Sequence, residues 1–164
     1  MESLHQQKSI NTVTGVFATR KDAENAYQTL LRLGYRADEI TLIMAEETFD
    51  KLFDHPKNHF YQDSTATKKL QVTRISEALD VLGRFVAIPG LALVVAGDLT
   101  KGGVRALSSS VLSDEYAEYF QNRLLDGEIL IDFGLHTNRE KDLIVHKWEY
   151  FGGYPLIRSV NNAA

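Results

Sequence analysis

Two histidines four residues apart have the spacing that a metal site on a helix needs. His55 and His59 form this pair, and Asp54 and Asp63 lie close to them in the sequence. On a helix, such a spacing places both imidazoles on one face, where they could bind zinc. Pro56 lies between the two histidines, however, and proline breaks a helix interior. We therefore interpret the segment as a solvated loop and predict no metal site.

A glycine-containing segment resembles a phosphate-binding loop. Gly97–Gly103 has glycines at both ends and Lys101 between them. A phosphate loop needs its glycines before a Lys-Ser/Thr pair, so that backbone N–H groups point at the phosphate. The order here is different, and no G-x-G-x-x-G motif follows a predicted strand. We predict a turn and no nucleotide cofactor.

Asp132 is the one charged residue inside the third predicted strand. Such a carboxylate either serves a functional site or pairs with a neighbouring polar group. We keep Asp132, Leu130 and Thr14 as candidate ligand-binding residues. His136 lies at a strand end and His146 on a helix, and neither has a catalytic partner nearby in the sequence. An enzyme would need His136, His146 and Asp132 to converge in a cleft, so we predict no catalytic residues and a protein that is not an enzyme.

The composition excludes several kinds of chemistry. The chain has 164 residues, no cysteine and a formal net charge of −4. Without cysteine there are no disulfides, zinc–thiolate sites or thiol nucleophiles. The acidic balance argues against nucleic acid, because phosphate backbones attract clusters of Lys and Arg. We predict a cytoplasmic protein with no cofactor.

No segment has the pattern of a membrane span or a secretory signal. The first ten residues are polar, without the basic start and apolar run of a signal peptide. The apolar run Phe85–Gly97 is thirteen residues long and is broken at Pro89-Gly90, whereas a span needs about 20 residues. Its flanks lack the basic cluster that strengthens binding to a membrane surface. We predict no transmembrane segment and no peripheral membrane contact.

The chain repeats a strand–helix–strand pattern. Thr14–Phe17 is followed by an amphipathic stretch that ends at Tyr35, and Leu130–Phe133 by one that ends at Tyr154. Right-handed connections within two such units give a four-stranded antiparallel sheet with its helices on one side. We predict the α+β class and one ferredoxin-like domain, a duplicated βαβ fold over residues 11–160. Residues 1–10 and 161–164 are predicted to be flexible.

Local signals place the helices and the sheet faces. Thr19 with Asp22, and Thr137 with Glu140, have the spacing of capping boxes. Alternation along the two central strands predicts which side chains meet the helices: Val13, Gly15, Phe17, Ile129, Ile131 and Phe133. The opposite face is too apolar to be fully hydrated, so we expect something to cover it.

Residues 46–112 interrupt the repeat, and we predict a helical insertion there. Ile75, Leu79, Leu82 and Val86 recur at helical spacing, and Pro89-Gly90 ends the predicted helix. The apolar residues of the insertion form our predicted interaction surface: Ile75, Leu79, Leu82, Phe85, Val86, Leu91 and Leu93. They would cover the chain's own sheet or a second chain, and we expect a homodimer.

Several of these segments resemble one protein family. Thr14-Gly15-Val16-Phe17, then Leu33-Gly34-Tyr35, then the middle segment Ile88-Pro89-Gly90-Leu91 and the returning helix from Ser113 to Tyr119 are similar to the heat-induced or general stress proteins of the 17M type. The resemblance covers roughly residues 11–156. It implies a bacterial, cytoplasmic, non-enzymatic protein linked to stress, and the family supplies no catalytic residues.

Two functions remain open from the sequence. The first is a non-enzymatic, stress-associated structural or protein-interaction domain that self-associates. The second is a small-ligand or sensor module with a pocket between the open sheet face and the apolar insertion, near Asp132. The repeat predicts a fold, but it does not choose between these two functions.

Overall fold

The protein is described by a computed structural model that covers residues 10–53, 72–97 and 115–160. The His55/His59 pair, residues 98–103 of the glycine-containing segment, and Ser113, where the returning helix of the resemblance begins, lie outside these ranges. Both predicted flexible termini lie outside them as well, apart from Ile10. The remaining predictions can be compared with the structure directly.

Six strands of the described residues form a single antiparallel sheet. The strands are β1 (Ile10–Phe17), β2 (Ile40–Ala45), β3 (Gly83–Ile88), β4 (Leu91–Ala96), β5 (Ile129–Gly134) and β6 (Tyr154–Val160). Their order in the sheet is β3-β4-β2-β5-β1-β6. Every neighbouring pair is antiparallel.

Within the described ranges, five α-helices connect and cover the strands. They are α1 (Arg20–Arg32), α2 (Glu46–Leu52), α3 (Ile75–Leu82), α4 (Glu115–Leu125) and α5 (Lys141–Tyr150). Two short 3-10 helices, Ala37–Glu39 and Asn138–Glu140, precede β2 and α5. The α+β class is therefore confirmed.

The prediction of a four-stranded ferredoxin-like sheet is wrong. The strands that the repeat predicts lie next to one another as β2-β5-β1-β6, but β3 and β4 extend the same sheet beyond β2. The insertion therefore contributes strands as well as helix. We expected helical packing there because the apolar residues near Leu82 fit a helical period, and a short apolar run does not distinguish a strand from a helix.

The predicted insertion helix ends at Leu82, and the chain then turns back in a hairpin. Gly83–Ile88 pairs with Leu91–Ala96 across a two-residue turn formed by Pro89 and Gly90. Gly90 has a φ of 84°, which suits the third position of a turn that has proline at its second position. In β3, Phe85 and Val86 therefore point to opposite faces of the sheet.

The predicted alternation along the central strands is confirmed. One face of the sheet meets α1, α3 and α5, and its core includes Val13, Phe17, Ile131 and Phe133. Trp148 of α5 packs on Gly15, where a Cβ atom would lie 2.4 Å from Cζ3 of the indole. The indole also packs edge-on against Phe17, with ring centroids 5.2 Å apart. Gly15 thus gives the helix its close approach to β1.

The opposite face, called the second face below, has its own apolar core. Phe120 and Leu124 of α4 pack there on Val16, Ile43 and Leu130. The expectation that this face is covered is confirmed. The expectation that all helices lie on one side is wrong, because the second face is apolar enough to bury α4.

One predicted cap forms and the other does not. The Thr19 hydroxyl accepts a hydrogen bond from the Asp22 N–H at 3.1 Å, as a helix N-cap does. Thr137 makes no such cap. The Glu140 side chain instead accepts a hydrogen bond from the Tyr35 hydroxyl at 2.6 Å. A long-range contact therefore replaces the predicted local one.

Candidate functional site

One end of the sheet carries a cleft of about 840 Å³. It lies where β1 and β2 end, where β4 and β5 begin, and beside the Pro89-Gly90 turn. We call it the sheet-end cleft. The described residues that line it come from the start of α1, from α2, from the start of β4 with the turn before it, and from the end of α4 with the turn after it: Ala18, Thr19, Arg20, Ala45, Glu46, Glu47, Thr48, Asp50, Lys51, Leu52, Gly90, Leu91, Ala92, Leu125, Asp126 and Gly127.

The charged side chains of the sheet-end cleft are mostly acidic. Four carboxylates line it, against the two cationic groups Arg20 and Lys51. Glu46, Glu47 and Asp50 are exposed on α2. Glu46 and Asp50 are four residues apart, so two like charges share one face of a seven-residue helix.

Arg20 and Asp126 already have partners. The Arg20 guanidinium donates to the Leu52 carbonyl oxygen and lies 4.2 Å from the centroid of the Phe53 ring. Asp126 Oδ2 forms an ion pair with Arg123 at 2.7 Å. The acidic groups of α2 are therefore not neutralised by Arg20.

The walls of the sheet-end cleft also carry apolar side chains and one buried hydroxyl. Leu91 packs on the second-face core, and Leu125 is 61% exposed. Thr48 is only 5% exposed. A Cβ atom at Gly127 would lie 3.9 Å from Thr48 Oγ1, so this glycine leaves the space beside the hydroxyl open.

The predicted ligand-binding residues lie together on the second face, away from this cleft. Asp132 is 1% exposed, and Thr14 and Leu130 are fully buried. Thr14 and Thr41 lie opposite Asp132 on the two neighbouring strands. Thr14 Oγ1 donates a hydrogen bond to Asp132 Oδ1. The ligand-binding role of Asp132, Leu130 and Thr14 stays a prediction.

The two described histidines do not share a cleft with Asp132. His136 follows β5 and stacks on Tyr35, with ring centroids 3.9 Å apart and an angle of 11° between the planes. His146 is exposed on α5. Neither histidine lines the sheet-end cleft, and neither does Asp132. The arrangement that an enzyme would have required is not found among the described residues.

A network around Tyr35 joins the two halves of the repeat, and no pattern in the sequence indicated it. The Tyr35 hydroxyl donates to Glu140 Oε1 at 2.6 Å and accepts from the His136 N–H at 2.9 Å. Burial, with the nearby Glu140 carboxylate, raises the pKa of Tyr35 above its ordinary value. His136 Nε2 lies 2.5 Å from Glu39 Oε1. The network fastens the loop after β5 to the segment before β2.

A second cavity of about 890 Å³ lies along the outer face of α1. We call it the α1 groove. Arg20, Lys21, Arg32 and Arg74 give it a positive charge. Glu24 is the acidic residue among the described lining residues, and its carboxylate accepts hydrogen bonds from the Ile75 N–H at 3.1 and 3.4 Å. Glu24 thus caps the start of α3, which gives this groove a structural role.

The seven residues of the predicted interaction surface divide between the two faces of the sheet. Ile75, Leu79 and Leu82 pack in the core beneath α1. Val86, Leu91 and Leu93 pack on the second face. Phe85 is the exposed member, with 60% of its surface accessible. The surface is therefore mostly internal, and Phe85 is the part of it that another molecule could reach.

Acidic residues and histidines do not gather into a metal site within residues 10–53, 72–97 and 115–160. Among the helices of those segments, none has the length and apolar character needed to cross a bilayer. Glu46, Thr48 and Asp50 were not predicted as site residues from the sequence. The like charges at Glu46 and Asp50 were the available signal, since such a pair weakens a helix.

Comparison with known proteins adds no family to these observations. No protein-family model, no curated protein and no solved structure matches this chain. The resemblance to the 17M-type stress proteins therefore stays a prediction from sequence. What the chain does has to be argued from its own residues.

Proposed function

We propose that this chain is a non-enzymatic protein-interaction domain that self-associates through the free edge of β3. The observation that carries the proposal is the position and composition of this strand. Within the described sheet β3 is terminal, and its sequence Gly-Arg-Phe-Val-Ala-Ile has one charge and no proline. Open apolar edges of this kind pair with other strands.

The hairpin determines which backbone groups of β3 face outward. Ile88 lies opposite Leu91 across the two-residue turn, the position at which antiparallel partners exchange hydrogen bonds. The pattern alternates along the strand. The amides of Gly83, Phe85 and Ala87 therefore point away from β4. The Gly83 N–H already donates to the Leu79 carbonyl oxygen at the end of α3, so the N–H groups of Phe85 and Ala87 form the free edge.

These three residues are spaced symmetrically about Phe85. If a second β3 strand pairs antiparallel with Phe85 opposite itself, Gly83 faces Ala87 at both ends. The free N–H groups of Phe85 and Ala87 then have partners, and one two-fold axis relates the chains. The two Phe85 rings meet on one face, which adds an aromatic cross-strand contact. Arg84 is held on its own sheet, where it donates to the Gly97 carbonyl oxygen at 3.0 Å.

The opposite edge of the sheet is less suited to pairing. There β6 carries Pro155 opposite Gly15. Proline provides no N–H donor and is one of the features that protect an edge strand. We therefore assign self-association to β3 and not to β6.

The non-enzymatic part of the proposal is supported by the dispersal of the candidate catalytic groups. Asp132 is buried on the second face, His136 is engaged by Glu39, and His146 lies exposed on α5. The proposed link to stress and the proposed cytoplasmic location rest on the sequence alone. They are not needed for the strand-pairing argument.

Sedimentation equilibrium at micromolar concentration tests the self-association. We expect the wild-type chain to have twice the mass of a single chain. Phe85→Lys places a charge on the edge and should weaken association by about tenfold or more. Ala87→Pro removes one outward N–H and should act in the same direction. Tyr150→Lys is the matched control, because Tyr150 is 86% exposed on α5 and away from β3.

Circular dichroism must show that each variant keeps the fold. A wild-type chain that is monomeric at these concentrations contradicts the proposal. So does a dimer that Phe85→Lys and Ala87→Pro leave unchanged, because the interface would then lie elsewhere.

A further inference from the structure

The sheet-end cleft has acidic groups that the rest of the described chain does not neutralise. Glu46, Glu47 and Asp50 make no ion pair or hydrogen bond through their carboxylates within the described ranges. The positive end of the α2 dipole favours the two glutamates of the first turn. It does not favour Asp50, which lies towards the other end of the helix.

The second observation is the Thr48 hydroxyl. Thr48 is 5% exposed and lines the cleft. Within the part of the chain that the structure describes, its hydroxyl makes no hydrogen bond. The oxygen is not among the fully buried unpaired polar atoms of the described residues, so it opens into the cleft. A bound N–H group can donate a hydrogen bond to it, because the hydroxyl oxygen has two lone pairs.

The third observation is the apolar surface between these polar groups. Leu91, Ala92 and Leu125 line the same cleft, and Leu125 is exposed. A bare metal ion gains nothing from such a wall. An alkyl chain does, because burial of each CH₂ group is favourable.

We propose that the sheet-end cleft binds a linear alkyl polyamine. Its ammonium groups bind the carboxylates of Glu46 and Asp50, and one N–H donates to the Thr48 hydroxyl. Its methylene groups pack on Leu91 and Leu125. The volume of about 840 Å³ is in the range of small-molecule sites. The negative balance of the lining excludes an anion of the same length.

This binding site is separate from the self-association edge. The cleft is formed at the end of the sheet, whereas the free amides of β3 lie along its side. Phe85→Lys should therefore leave polyamine binding unchanged. Failure of either proposal does not affect the other.

Isothermal titration calorimetry with spermidine and the full-length chain tests the site. We expect saturable binding of one spermidine per chain. The double variant E46Q/D50N should weaken it by about tenfold. The control E118Q/E149Q removes the same number of charges from exposed positions on α4 and α5, and its affinity should stay within about twofold of wild type.

A second variant separates binding from folding. Thr48→Val keeps the shape of the side chain and removes the hydroxyl. Because this hydroxyl has no partner within the described chain, the stability should be unchanged or raised. Spermidine affinity should fall by about fivefold. Hexanoate, an alkyl anion, should not bind.

Three results would overturn the proposal. The first is the absence of saturable spermidine binding to the wild-type chain. The second is an equal loss of affinity in E46Q/D50N and E118Q/E149Q, since spermidine would then act as a general counterion. The third is binding of hexanoate as tightly as spermidine, because charge would then not determine recognition.

Discussion

Thr14 and Asp132 lie directly opposite each other on β1 and β5, and the Thr14 hydroxyl donates a hydrogen bond to the Asp132 carboxylate. Both residues are buried on the second face of the sheet, where Asp132 is 1% exposed. A carboxylate in such a position needs donors around it, because an unpaired buried charge is very costly. The two central strands of the repeat therefore share a polar contact inside an otherwise apolar sheet.

Thr14→Val should destabilise the fold by about 1–3 kcal/mol, because it removes a donor from a buried carboxylate. Thr14→Ser is the matched control, since it keeps the hydroxyl and loses only a methyl group. Urea unfolding of the wild type, Thr14→Val and Thr14→Ser measures the differences in the free energy of unfolding. If Thr14→Val is as stable as Thr14→Ser, the hydrogen bond to Asp132 contributes nothing to the fold.

Periodicity predicted the central part of the fold, and it failed where tertiary context decided the structure. The alternation at Val13, Phe17, Ile131 and Phe133 identified the face that α1 and α5 cover. The segment after Leu82 was assigned to helix, because Val86 continued the spacing of Ile75 and Leu79. The structure places Val86 in β3 opposite Leu93. A new sheet neighbour stabilises the strand there, and local spacing does not show such a neighbour.

The candidate site was harder to predict than the fold. The sheet-end cleft is assembled from the ends of several strands, which are distant in sequence. Glu46 and Asp50 could be identified as a like-charge pair on a short helix, but nothing in the sequence places Leu125 beside them. Asp132 was correctly singled out as unusual. The bonding to Thr14 fits the expectation that it pairs with a neighbouring polar group.

Gly15→Ala should destabilise the protein, because the added methyl group would lie 2.4 Å from Trp148 Cζ3. Overpacking of this kind costs about 1–3 kcal/mol. A double-mutant cycle pairs this change with Trp148→Phe, which shortens the ring system that the methyl group meets. Gly15→Ala combined with Trp148→Phe should lose less stability than the sum of the two single changes. Additive losses would show that the close approach of Gly15 and Trp148 is not the cause.

Tyr35→Phe should destabilise the protein by about 1–2 kcal/mol, because the hydroxyl bonds both Glu140 and the His136 N–H. Tyr150→Phe is the control, since Tyr150 is exposed on α5. Thermal unfolding of both variants measures the difference. An unchanged midpoint for Tyr35→Phe would mean that water replaces the hydroxyl without loss.

Glu39 should contribute to a loss of stability in acid. Partial burial tends to raise the pKa of Glu39, but hydrogen bonds from His136 and the Arg36 N–H outweigh it and hold the pKa below its ordinary value. The unfolded chain therefore binds a proton at Glu39 more readily than the folded chain does. The stabilisation by Glu39 is complete above pH 4.5, the ordinary pKa of a glutamate. It is lost as the pH falls through the lower pKa that Glu39 has in the folded chain.

Glu39→Gln tests this contribution because it removes the titrating group and keeps the shape of the side chain. At neutral pH the variant should be less stable than wild type, since the charge-assisted contact with His136 Nε2 is lost. Below pH 4.5 the difference should shrink, because wild-type Glu39 becomes protonated. Urea unfolding at neutral and acid pH measures both differences. Glu149→Gln, at an exposed position on α5, should follow the wild-type profile, and a Glu39→Gln profile parallel to wild type would show that Glu39 does not sense the pH.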